Sequence, residues 1–186
     1  TTTPNNAIQV IDSSGNNLIN FPNNIEGTFI GFAAGAHTTG NENTAIGMYA
    51  LGSNTGGRSN TAEGYAALYS NTSGVANTAV GVNALSSNTE GQTNTANGTS
   101  ALALNTTGNE NTAEGAGALG VNSTGSYNTA DGMDALLENS TGIDNTAVGA
   151  GALDQITTGS DNTALGTEAG EAFGGSGNTG SSFSIY

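Results

Sequence analysis

The tripeptide Asn-Thr-Ala occurs eight times in this chain, its asparagines at Asn43, Asn60, Asn77, Asn94, Asn111, Asn128, Asn145 and Asn162. Every interval is 17 residues, without insertion or deletion. A period this short and strict predicts one solenoid coil per repeat, each stacked on the next. It also directs attention to surfaces, ladders and ends, because a repeated rod rarely houses one catalytic pocket.

The repeat reads NTAxGxxALxxNT(T/S)Gxx. Ala recurs at the third place (Ala45 to Ala164) and the eighth (Ala50 to Ala169). Leu holds the ninth in seven of eight copies (Leu51 to Leu153), with Gly170 in the last. These are the inward positions, and their small size implies a narrow core. Gly recurs at the fifth place, Gly47 to Gly166, where positive φ or close backbone approach at a corner explains it. Gly at the fifteenth place, Gly57 to Gly159, fits a second corner.

Two glycines per coil, with Asn, Thr and Ser between them, oppose helix. Strands of about four to five residues, separated by Gly and Asn corners, fit better. Proline is absent from 23 to 186, so each residue there keeps a backbone N–H for the next coil. Parallel coils about 4.8 Å apart, nine or ten of them, give a rod of roughly 45 Å. The expected fold is all-β: a parallel β-solenoid or β-roll.

Three regions divide the chain. Residues 1–26 precede the repeat, contain Pro4 and Pro22, and read as two short strands, Ala7–Ile11 and Asn17–Phe21. Residues 27–177 form the repeat domain. Its first coil is degenerate, with Gly27-Thr28-Phe29-Ile30-Gly31 aligning on Asn43–Gly47 after an interval of 16. Residues 178–186 open on a fading copy, Asn178-Thr179-Gly180, and end in a C-terminal capping strand, Phe183–Tyr186.

The charge balance narrows the choice of partners. Fifteen acids face one base, Arg58, for a net charge of −14 among 186 residues. Nucleic acid and anionic membrane surfaces both call for clustered Lys and Arg, so neither is an expected partner. Disorder is opposed by the phase-locked Ala and Leu positions. Cysteine is absent, which removes disulfides and thiolate chemistry. No apolar run approaches a membrane-spanning length. The chain begins at Thr1 without an initiator Met or signal peptide, as expected of a processed secreted protein or an excised fragment.

Asparagines at the first place, and at the twelfth (Asn54, Asn71, Asn88, Asn105, Asn122, Asn139), are expected to stack into two amide ladders, with Thr at the second place as a third. Two roles are open to them: bracing the corners, or forming a recognition array.

The coil Asn43-Thr44-Ala45-Ile46-Gly47-Met48-Tyr49-Ala50-Leu51, with its followers at 60, 77 and beyond, resembles the NTAIGxxAL repeats of bacteriophage and phage-like tail fibres. More distantly it is similar to the head repeats of trimeric autotransporter adhesins. Thr28-Phe29-Ile30-Gly31-Phe32-Ala33-Ala34-Gly35 looks like the variant coil at the edges of such arrays. The resemblance covers residues 27 to about 170 and implies an elongated, extracellular, non-enzymatic fibre segment, commonly trimeric. The adhesin head repeat is shorter than 17 residues, so its coil shape does not transfer.

No catalytic, cofactor-binding or metal-ligating residue is expected. His37, the only histidine, lacks His, Cys or convergent carboxylate neighbours in sequence and reads as a solvated loop residue. Acids do align on adjacent coils: Glu114 with Asp131, and Asp144 with Asp161. A bridging Ca²⁺ or a hydrated face relieves such pairs, and the hydrated face is the expectation. Sequons at Asn71, Asn97, Asn105, Asn122 and Asn139 are candidate glycan attachment points.

The leading functional expectation is a structural subunit of an extracellular fibre or filament. One Leu and two Ala per coil bury little apolar area, at about 25 cal/mol per Å², so self-association is favoured. Its partner is then itself, as a homo-oligomer, a trimer or an end-to-end filament. The terminal residues Ala7, Ile8, Val10, Ile11, Phe183, Ile185 and Tyr186 either cap the coil stack or pair with a neighbouring subunit. The alternatives are an adhesin or shaft that binds cell-surface glycans through its ladders, and an ice-binding solenoid presenting its single Thr file.

Overall fold

A computed structural model of the chain describes residues 10–11, 13–15, 17–20, 26–170 and 182–185. Its strands are β1 (Val10–Ile11), β2 (Asn17–Asn20), β3 (Gly27–Ile30), β4 (Asn43–Ile46), β5 (Thr61–Glu63), β6 (Thr78–Val80), β7 (Thr95–Asn97), β8 (Thr112–Glu114), β9 (Thr129–Asp131), β10 (Thr146–Val148), β11 (Asn162–Leu165) and β12 (Ser182–Ile185). They form one twelve-stranded sheet in chain order.

From β3 to β11 all pairings are parallel and in repeat register, Thr on Thr and Ala on Ala from Thr44–Ala45 onward. No helix occurs among the described residues. The chain is a β-solenoid with one 17-residue coil per repeat.

The strands differ from expectation in length and number. Each regular coil contributes one strand of three or four residues. The rest of the coil is turns, yet their backbone still bonds to adjacent coils: Leu68 N donates to Ala84 O at 3.0 Å, and Ala66 N to Met48 O at 3.0 Å. Such tight winding uses left-handed backbone at the seventh, ninth and seventeenth places, as at Tyr49 (φ 63°), Leu51 (φ 49°) and Ser59 (φ 56°). Each non-glycine residue held there costs roughly 1–2 kcal/mol. Coil-to-coil hydrogen bonds and burial of the ninth-place Leu offset that cost.

At the fifth place both reasons for glycine hold together. Gly98 has φ 146°, and a Cβ on it would strike the carbonyl of Gly115 on the next coil.

The core is a continuous axial file of the third-place Ala, eighth-place Ala and ninth-place Leu; Ala96, Ala101 and Leu102 are all 0% exposed. The first coil fills the same space differently. Phe29 stands in register with Ala45, while Gly35 occupies the place that Leu holds elsewhere. A Cβ on Gly35 would collide with the Phe29 ring. A large third-place residue therefore compensates a missing ninth-place one, a near volume-conserving exchange.

Both ends of the stack carry a strand from outside the repeat. β2 pairs antiparallel with β3, and β1 pairs antiparallel with β2. At the other end β12 lies parallel on β11, with Thr163 opposite Phe183 and Leu165 opposite Ile185. Val10, Ile11, Phe183 and Ile185 are thus in the outermost strands. Ala7, Ile8, Tyr186 and Asn178–Gly180 lie outside the described residues.

Candidate functional site

The distinctive chemistry of this rod is inside it. Asn43, Asn60, Asn77, Asn94, Asn111, Asn128 and Asn145 are 0% exposed, and Asn162 is 1% exposed. Each Oδ1 from Asn43 to Asn145 accepts twice from the next coil's asparagine. At Asn43 the donors are Asn60 N at 3.0 Å and Asn60 Nδ2 at 3.1 Å. The same pair of bonds recurs through Asn162 N and Nδ2, which donate to Asn145 Oδ1 at 3.1 and 2.8 Å. From Asn60 to Asn145 each Nδ2 spends its second hydrogen on a glycine carbonyl, as Asn60 does on Gly74 O at 2.9 Å, whereas Asn162 Nδ2 donates to Ser160 O at 3.0 Å. Two donors and two acceptors exhaust an asparagine amide.

The twelfth-place asparagines form a parallel file, also 0% exposed. Asn71 Nδ2 donates to Asn54 Oδ1 at 2.8 Å and to Gly74 O at 3.2 Å. Gly74 O therefore receives both ladders, and so do Gly57, Gly91, Gly108, Gly125 and Gly142 O. The fifteenth place needs glycine for room rather than for φ: a Cβ on Gly108 would meet Asn105 Oδ1 and Gly125 O.

This network has definite ends. Asn43 Nδ2, with no earlier Asn to bond, donates to Gly40 O at 2.9 Å, and Asn54 Nδ2 turns to Thr38 Oγ1 at 3.2 Å. At the far end Ile156 takes the twelfth place, and the last Asn of that file, Asn139, accepts from Gly142 N at 3.0 Å.

Two expectations are corrected by this burial. The Asn files are not a recognition array, because no ligand reaches a 0% exposed amide whose hydrogen bonds are internal. Nor can folded coils carry glycans on Asn71, Asn105, Asn122 or Asn139, whose Nδ2 atoms bond within the ladder. Of the five sequons only Asn97 is exposed, on β7, with Nδ2 donating to Glu114 Oε2 at 3.2 Å.

The Thr file of the second place is stacked in the sheet but, among the described residues, its hydroxyls make no mutual hydrogen bond. A different hydroxyl file does the bonding. Thr55, Thr72, Thr89, Thr106, Ser123 and Ser140 each donate Oγ to the carbonyl of the residue one coil on, at 2.9–3.0 Å. Sequence reading overlooked it, although the restriction of the thirteenth place to Thr or Ser is its signal.

The remaining polar groups are dispersed. His37 is exposed and its Nδ1 lies 2.7 Å from Gly52 O, to which it donates. Glu114 and Asp131 are neighbours in register on β8 and β9. Among the described residues no group of three or more His, Cys, Asp or Glu is placed to hold a metal ion. No described helix is long and apolar enough to cross a membrane.

One exposed feature breaks the uniformity of the surface. Phe32, Tyr49, Tyr65 and Tyr69 cluster across three successive coils, with Tyr49 edge-to-face to the other three at ring-centroid distances of 5.5, 6.1 and 6.3 Å. Comparison of the chain with protein-family models, with curated proteins and with solved structures gives no match.

Proposed function

We propose that this chain is a non-enzymatic structural segment of an extracellular fibre, joined end to end with further copies of itself. The observation that carries the reading is the strand order. A uniform parallel stack runs between two non-repeat strands, and β1 and β12, as the outermost strands, each keep one edge without a strand partner among the described residues. An open strand edge is a template for a second chain. Between those edges the coils differ little and are braced by saturated amide ladders, a construction suited to bearing length. The resemblance of the coil to tail-fibre shafts points the same way.

Deletion of residues 1–26 removes β1 and β2 and is expected to abolish assembly while leaving the repeat domain folded. Light scattering and negative-stain microscopy provide the readout. Filaments of normal length from the truncated chain would refute end-to-end joining through this segment.

A further inference from the structure

The aromatic cluster on the first coils is not repeated further along the stack, where the sixth, seventh and tenth places carry no aromatic residue. The sixth place holds Phe32, Met48 and Tyr65, and beyond them Thr99, Ala116 and Ala150 are interspersed with the exposed apolar Val82 and Met133. The seventh holds Tyr49, then Ala66, Asn83, Ser100, Gly117, Asp134 and Gly151. Tyr65 is 47% exposed and Tyr69 43%, although their apolar ring surface would be better hidden. The rings enclose a space of about 270 Å³, open to solvent and lined by Tyr49, Tyr65, Ala66, Tyr69 and Asn83. Tyr65 stands at 83° to Tyr49, and Tyr69 at 86°, so the site has aromatic walls in crossed planes.

We infer that this corner binds a methylated, quaternary ammonium group. The site is too small to seat a folded partner, since a stable protein interface takes about 20–30 residues a side. Its volume is below the roughly 300–1,000 Å³ of pockets for larger ligands and suits one compact group. Neutral sugars are held by several convergent hydrogen-bonding side chains, and here one amide, Asn83, joins the tyrosine hydroxyls. Anions are repelled by a chain of net charge −14 whose one base, Arg58, belongs to the distant sixteenth place of the coil. A cation with methyl groups meets both requirements. Its charge is drawn to the ring faces and to the field of the chain, and its methyl groups need no hydrogen bonds.

The test is titration of the full chain with choline chloride at constant ionic strength, followed by NMR of the tyrosine rings. The neutral carbon isostere 3,3-dimethyl-1-butanol and methyl glucoside are run beside it. Choline is expected to shift the Tyr49, Tyr65 and Tyr69 signals saturably, with a Kd on the order of millimolar. The isostere is expected to bind about tenfold more weakly. Tyr65→Phe and Tyr69→Phe keep the ring faces and should retain choline binding, whereas Tyr65→Leu should lose it with an unchanged melting temperature. Equal binding of the isostere, saturation by the glucoside alone, or no response to choline would overturn the inference. Filament formation is read separately, so neither result depends on the other.

Discussion

Asn94 and Asn105 donate their side-chain amides to one oxygen, the carbonyl of Gly108, at 2.8 and 3.1 Å. That shared acceptor ties two axial ladders into a single buried network, and it recurs on six consecutive coils. A fully satisfied polar network in a dry interior is strong and specifies one register, and a partly satisfied one is costly. The coil has little else to specify it, given a core of two Ala and one Leu.

Removing one rung should therefore be costly. Asn94→Ala leaves Asn77 Oδ1 and Gly108 O each short of a donor, and takes Oδ1 away from Asn111. At about 1–3 kcal/mol per buried group left unpaired, the predicted loss is about 3 kcal/mol or more by denaturant titration. Asn97→Ala, on the exposed face three residues away, should change stability by less than about 0.5 kcal/mol.

Glycine matters by place. Gly98→Ala forces a Cβ into the Gly115 carbonyl at φ 146° and is predicted to destabilise by more than about 3 kcal/mol. Ser100→Gly relieves a left-handed residue (φ 58°) while freeing the unfolded chain, and the two effects largely offset, leaving a neutral to about 1.5 kcal/mol stabilising change. Thermal melts of both variants check the contrast.

Phe29 and Gly35 should behave as one unit. Phe29→Ala opens a cavity costing about 3–5 kcal/mol, and Gly35→Leu alone overpacks the first coil. The double variant recreates the Ala-and-Leu core of the other coils, so it is predicted to recover most of the loss. A double-mutant cycle measures the coupling; additive losses would show that the compensation is absent.

Glycopeptide mapping of chain produced in a glycosylating host should find folded, soluble protein occupied at Asn97 alone. Occupancy at Asn71, Asn105, Asn122 or Asn139 in such material would contradict their place inside the ladder.

Much of this was legible in the sequence, for a physical reason. Ala at the third and eighth places keeps phase through all eight copies and Leu at the ninth through seven, and a residue that cannot drift in phase faces the same environment in every coil. The glycines of the fifth place were legible because their backbone and their space requirements coincide. The depth of the asparagines was not. Asn is ordinarily a corner residue, and it becomes an interior one only when all its hydrogen bonds are met, which depends on the glycine carbonyls that the fold brings to it. Left-handed Tyr49 and Leu51 were hidden as well, because neither residue type favours that backbone. The tyrosine corner needed the stacking of coils to bring Tyr49 beside Tyr65 and Tyr69.

The most direct test of the central claim is electron cryomicroscopy of the full chain at assembling concentrations. Twelve strands per subunit at about 4.8 Å each predict single-file filaments with an axial subunit repeat of roughly 58 Å and a continuous cross-β layer spacing. Discrete rods at every concentration, or rods joined only along their sides with free ends, would contradict it.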